Sequence, residues 1–111
     1  MKPILIQEIP KNKQFYDTCG NYGRSKTNDW ILVSKEKGYI ESEEEVMGVA
    51  LHELVEFWLC LKRGIKLKDI DKWDLSYRGN GEPGEVKGCP YFREHKFANK
   101  LERLFVKELN D

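Results

Sequence analysis

The sequence predicts an α+β domain with a helical majority: a small antiparallel β element at the N-terminus, then two main packed helices with a shorter helix between them. Three observations carry that prediction. Residues 4–9 and DWILVS at 29–34 are short apolar segments rich in β-branched and aromatic side chains, and Gly20, Asn21, Gly23, Asn28 and Asp29 punctuate the stretch between them. Ser42-Glu43-Glu44-Glu45 has the spacing of a capping box, with Ser42 as N-cap and Glu45 at the third helical position. Near the other end Phe97, Ala98, Leu101, Leu104, Phe105 and Leu109 recur at helical spacing.

Each element follows from such signals. The first helix should begin near 43, where three acidic side chains face the positive end of its dipole. It should run to about Arg63, because Lys62-Arg63 suit the negative end and Gly64 can take the left-handed capping conformation. KLKDIDKWDLSY, with apolar residues at 67, 70, 73, 75 and 77, reads as the shorter helix, and RGNGEPGEVKG at 78–88 as a loop. Pro90 fits the first turn of the last helix, expected over 90–109.

Composition limits the classes of function. A chain of 111 residues, 40% hydrophobic and 12% aromatic, supports one domain, 1–111, with one modest core. Lys plus Arg equals Asp plus Glu at 19 each, so no global field draws it to nucleic acid or an anionic membrane. The N-terminus offers only Ile4, Leu5 and Ile6 before Gln7-Glu8, far short of a signal peptide or a membrane span. Cys19, Cys60 and Cys89 show no C-x-x-C spacing and read as reduced thiols, with Cys60 in the core. The expectation is a soluble, cytoplasmic protein. Trp58 and Trp73 are expected in the core rather than as stacking platforms.

Against this background ALHELVEFWLC, residues 50–60, stands out: the longest apolar run is interrupted by His52, Glu53 and Glu56. On a helix, residues four apart lie one turn apart on one face, about 6 Å by rise, so His52 and Glu56 can converge on one ion. Glu53 lies about 100° further round, where it can serve a ligand beside that face without itself binding the ion. His-Glu-x-x-Glu is similar to the His-Glu-x-x-His of zinc-dependent peptidases, in which the Glu beside the first ligand is the general base. Glu56 replaces the second imidazole of that pattern. His95, the other histidine of the chain, can supply it from the last helix. If the two long helices pack antiparallel with Glu56 near His95, then His52 comes near Asn99 and Val49 near Glu102. Glu102 would then hydrogen-bond the other nitrogen of His52.

The string L-H-E-L-V-E-x-W-L-C, followed by Glu82-Pro83-Gly84, Pro90-Tyr91, Glu94-His95, Ala98 and Leu101-Glu102-Arg103, resembles a group of small uncharacterised bacteriophage and prophage proteins. The resemblance covers most of residues 30–109 and implies a bacterial host cytoplasm. His52, Glu53, Glu56, His95 and Glu102 all fall inside its motifs.

The reading is therefore a metal-binding protein with zinc as first choice and Fe2+ or Mg2+ as alternatives. His52, Glu56 and His95 would hold the ion, and Glu53 would be the general base of a metal-dependent hydrolase acting on a carbonyl or phosphoryl centre. Residues 29–34 could lay a strand edge beside the site for an extended substrate. Two other readings compete. One is an interaction protein in which a structural metal or a buried polar network fixes the helices and CGNYGRSKTNDW, with Tyr22, Arg24, Lys26 and Trp30, contacts a protein partner. The other is a magnesium-dependent nucleotide pyrophosphohydrolase using Glu53-x-x-Glu56 with Asp71-x-x-Asp74. That last pairing leaves both histidines without a role.

Overall fold

A computed structural model describes residues 2–111. The two apolar segments near the N-terminus are strands, β1 (Ile4–Glu8) and β3 (Asp29–Val33), and a further strand, β2 (Gly20–Arg24), lies between them in the chain. The sheet order is β1-β3-β2. The antiparallel partner of β3 is β2, with Tyr22 opposite Ile31, while β1 pairs with β3 in parallel, with Ile6 opposite Ile31. The expected antiparallel element is thus the β2–β3 hairpin, and β1 extends it into a mixed sheet.

The segment expected to be turn is strand for a packing reason. A Cβ on Gly23 would lie 2.1 Å from the Trp30 ring, and one on Gly20 would lie 2.7 Å from the Glu53 carboxyl. These glycines are required by close approach of a neighbour, not by a turn. Asp29 is likewise in the sheet, buried, with its carboxylate 3.1 Å from Nε of Arg24 across the hairpin.

Residues Glu43–Lys62 form α1, Leu67–Ser76 form α2 and Phe92–Asn110 form α3. Both halves of the capping box are present: the Glu45 N–H donates to Ser42 Oγ at 3.1 Å, and the Ser42 N–H donates to Glu45 Oε1 at 3.0 Å. Ser42→Ala should lower stability by about 1 kcal/mol, read as a fall of roughly 5 °C in a thermal melt. At the other end Gly64 has φ 72°, its N–H reaches the Leu61 carbonyl at 3.3 Å, and the Ile65 N–H reaches the Cys60 carbonyl at 2.9 Å. This is the left-handed stop expected of that glycine. The last helix begins two residues after Pro90, because Tyr91 is its N-cap and the Tyr91 N–H is tied back to Cys89 Sγ at 3.4 Å.

Ile31 and Val33 point from β3 into a core completed by Tyr22, Phe57 and Cys60, with the Tyr22 and Phe57 rings 5.1 Å apart. Cys19, Cys60 and Cys89 are free and buried. Trp73 is half-buried and donates from Nε1 to the Pro83 carbonyl at 3.0 Å. Trp58, expected in the core, is 42% exposed.

The larger departure concerns α3. Phe97 and Leu104, members of the apolar stripe, stand outside, whereas Glu94, His95 and Ala98 are buried. Glu56 meets His95, and Gly48 lies against Glu102 and Val106, so α1 and α3 run antiparallel and meet through a polar face. That face carries the candidate site. Among the described residues no helix is long and apolar enough to cross a membrane.

Candidate metal centre

Three side-chain atoms from α1 and α3 converge. His52 Nε2 lies 3.0 Å from Glu56 Oε2, Glu56 Oε2 lies 2.9 Å from His95 Nδ1, and the two ring nitrogens are 3.2 Å apart. All three residues are buried. Ligands held about 2.0–2.1 Å from one tetrahedral ion stand roughly 3.3 Å from each other, so this triangle is slightly tighter than a zinc shell. The i,i+4 spacing on α1 places the first two atoms, and the antiparallel packing of α3 supplies the third.

Each of these residues is also held from behind. His52 Nδ1 is 2.9 Å from Glu102 Oε1, and His95 Nε2 is 3.2 Å from Glu82 Oε2, although both carboxylates lie off the line of the ring N–H. Tyr22 donates its hydroxyl to Glu56 Oε1 at 2.9 Å, and Tyr39 donates to Glu82. In the neutral imidazoles a carboxylate behind each ring would favour the proton on the far nitrogen and leave the lone pair of the near one facing the convergence point.

The electrostatics are those of a crowded buried cluster. Burial works to lower the pKa of His52, but the carboxylates of Glu102 and Glu56 override it and raise it to about 11. Burial opposes the rise at His95 too, where Glu56 and Glu82 raise it to about 9. Burial would raise Glu56, yet hydrogen bonds from His52 and His95 hold it below the ordinary carboxylate value. Glu82 is drawn down to about 2, first by His95. Glu53 goes the other way: burial pushes it up to about 8 against the attraction of His52. No hydrogen-bond donor among the described residues reaches the Glu53 carboxyl, and His52 Nε2 stands 3.7 Å from it. The surroundings thus act on the two carboxylates in opposite senses, holding Glu56 low and Glu53 high.

The cluster lines a cavity of about 410 Å³ between the sheet, α1, α3 and the 81–85 loop. Its wall also holds Asp74, pushed up to about 6 by burial, which accepts hydrogen bonds from Tyr16 and Tyr91.

The structure thus brings His52, Glu56, His95, Glu53 and Glu102 together. Asn99 also lines the cavity, but the hydrogen bond found for it runs 3.5 Å to Glu85 and not to His52. Glu82, Tyr22 and Tyr39 join the site without having been expected there. Glu82-Pro83-Gly84 was visible as a motif, but only folding brings this loop to His95. A second group, Glu82, Glu85 and His95, also has potential ligand atoms within 4.8 Å of each other.

Several alternatives lose support. Asp71 is exposed and not in the cavity wall, so Asp71-x-x-Asp74 does not join Glu53-x-x-Glu56 as a second carboxylate pair. Tyr22 is 5% exposed and so offers no contact surface, whereas Arg24, paired with Asp29, and Lys26 remain exposed. β3 has a neighbour on both sides, so the strand edge beside the site belongs to β2 and not to residues 29–34.

Close packing by glycine positions the site. A Cβ on Gly84 would come 2.6 Å from His95 Cγ, and one on Gly20 would meet the Glu53 carboxyl. Gly84→Ala should displace the His95 ring and weaken metal affinity by about 10–100-fold, the range found when ligand-supporting groups are altered. Competition with a chromophoric chelator measures this; unchanged affinity would show that His95 does not depend on that packing.

No known family model matches the sequence, and no curated protein or solved structure matches it significantly.

Proposed function

We propose that this protein binds one zinc ion through His52 Nε2, Glu56 Oε2 and His95 Nδ1, and that it is a small metal-dependent hydrolase with Glu53 as general base. The observation that carries the reading is that His52 Nε2, Glu56 Oε2 and His95 Nδ1 converge within 3.2 Å of one another at the wall of a cavity, with the Glu102, Tyr22 and Glu82 side chains behind them. Two imidazoles and one carboxylate suit zinc; Fe2+ accepts the same set, while Mg2+ prefers oxygen ligands. The phage-like motifs contain His52, Glu53, Glu56, Glu82, His95 and Glu102, and a viral origin in a bacterial host is part of the proposal.

Three protein ligands with a cavity in front of them match a catalytic site better than a structural one, which takes four. A bound zinc ion would supply Lewis acidity, polarising a substrate oxygen and making an attacking water more acidic. Glu53, buried and without a hydrogen-bond donor, would take the proton of that water. Tyr22, Glu82 and Glu102 would keep the ligands oriented. Metal analysis of the purified protein and calorimetric titration with zinc test the proposal. Near one ion per chain supports it, and no zinc uptake by folded protein overturns it.

A further inference from the structure

We propose that the cavity selects a small cationic substrate, an amide or ester bearing an ammonium or guanidinium group, and rejects phosphorylated ones. The inference rests on reading the cavity as the active site.

The wall is a surface of acceptors. Glu53, Asp74, Glu82, Glu85 and Glu102 line it around the convergence point, and among the described lining residues Arg103 is the one permanent cation. The hydroxyls that could have offered protons to an anion are already committed to carboxylates: Tyr16 and Tyr91 to Asp74, Tyr22 to Glu56, Tyr39 to Glu82. Glu53, 9% exposed, faces this space with no donor of its own. Even beside a divalent ion, a phosphoryl group would face an excess of carboxylates, whereas an ammonium or guanidinium group could donate to them.

The β2 edge argues for a small molecule over an extended peptide. The outward Gly20 N–H donates to Thr18 Oγ1 at 3.2 Å, Thr18 Oγ1 donates to the Gly20 carbonyl at 2.7 Å, and the Tyr22 N–H donates to Asn21 Oδ1 at 2.9 Å. Side chains of the same segment cap the groups that an added strand would need. A cavity of about 410 Å³ is of small-molecule size. For an amide the reaction balances without a further reagent. The water oxygen bonds to the carbonyl carbon, the C–N bond breaks, and the proton taken by Glu53 passes to the departing nitrogen, giving acid and amine.

Three amides differing only at one end provide the test: N-(4-aminobutyl)acetamide, N-pentylacetamide and 5-acetamidopentanoate. Each is titrated into 15N-labelled protein, with zinc and with zinc chelated, following the amide signals of Gly20 and Gly84. The cationic amide should bind at least about tenfold tighter than the neutral one, with the anionic one weakest. In the Glu85→Gln/Asp74→Asn double variant the preference should fall to about twofold or less; Glu85→Gln alone, at an exposed position, should already reduce it if the double variant does not fold. Equal or tighter binding of the neutral or anionic amide, or no shift with any of them up to about 10 mM, overturns the inference. Titration with zinc alone reads the metal proposal separately, and charge preference in the chelated protein stands or falls without it.

Discussion

Zinc at about a hundred times its dissociation constant should stabilise this protein by about 2.7 kcal/mol, raising the melting temperature by roughly 10–15 °C. His52→Ala and His95→Ala should each abolish that rise and lower zinc affinity by more than about 100-fold, since each removes a direct ligand. Calorimetric stoichiometry on the folded variants separates loss of metal from loss of fold. The pH dependence has a definite sign. In the metal-free protein both histidines are raised, His52 to about 11 and His95 to about 9, chiefly by Glu102 and Glu56 acting against burial. Their contribution to stability is full below the unfolded value of about 6.5 and fades as the pH climbs through 9 and 11. Zinc requires the unprotonated rings, so its uptake releases protons and its apparent affinity increases between about pH 6 and 9. Melting curves with and without zinc over that range should diverge as the pH rises. Convergence would show that the protons and the ion do not compete for the same atoms.

Glu53→Gln should lower hydrolytic turnover by about 10²–10⁴-fold while leaving zinc affinity within about tenfold of the wild type. The amide has the shape of the carboxylate, so it fits against Gly20 where the original side chain packs. It cannot take a proton from water. The same substitution removes a carboxyl that burial pushes from 4.5 up to about 8, so it should raise the melting temperature of the metal-free protein progressively between those pH values and fully above them. A change that increases stability, keeps the metal and removes activity marks a residue retained for chemistry. Unchanged turnover on a substrate the wild type hydrolyses would remove Glu53 from that role.

The parts legible in the sequence were those set by local rules. Ser42 and Glu45 announced the start of α1, Gly64 its end, and the i,i+4 spacing of His52 and Glu56 a shared target. Antiparallel helix packing was then enough to bring in His95 and Glu102. What stayed hidden depends on contacts between distant segments. Gly20 and Gly23 look like turn residues until Glu53 and Trp30 are seen occupying the space beside them. The stripe of Phe97 and Leu104 drew attention from the face that is buried, because a helix carrying a polar site inward inverts the usual relation between hydropathy and burial. Glu82 could not be placed from spacing alone, since a loop has no period by which to aim a side chain.

The parallel strand β1 has its own bearing on how the molecule can be handled. It hydrogen-bonds to β3 on the side away from β2, contributes no residue to the cavity wall, and leaves Leu5 and Ile6 about half exposed. Strain or fraying at that border has β3 to cross before it reaches α1 and its ligands. A fluorophore, affinity handle or surface tether attached ahead of Ile4 should therefore leave the centre undisturbed, whereas the same attachment in the 81–85 loop would lean directly on His95.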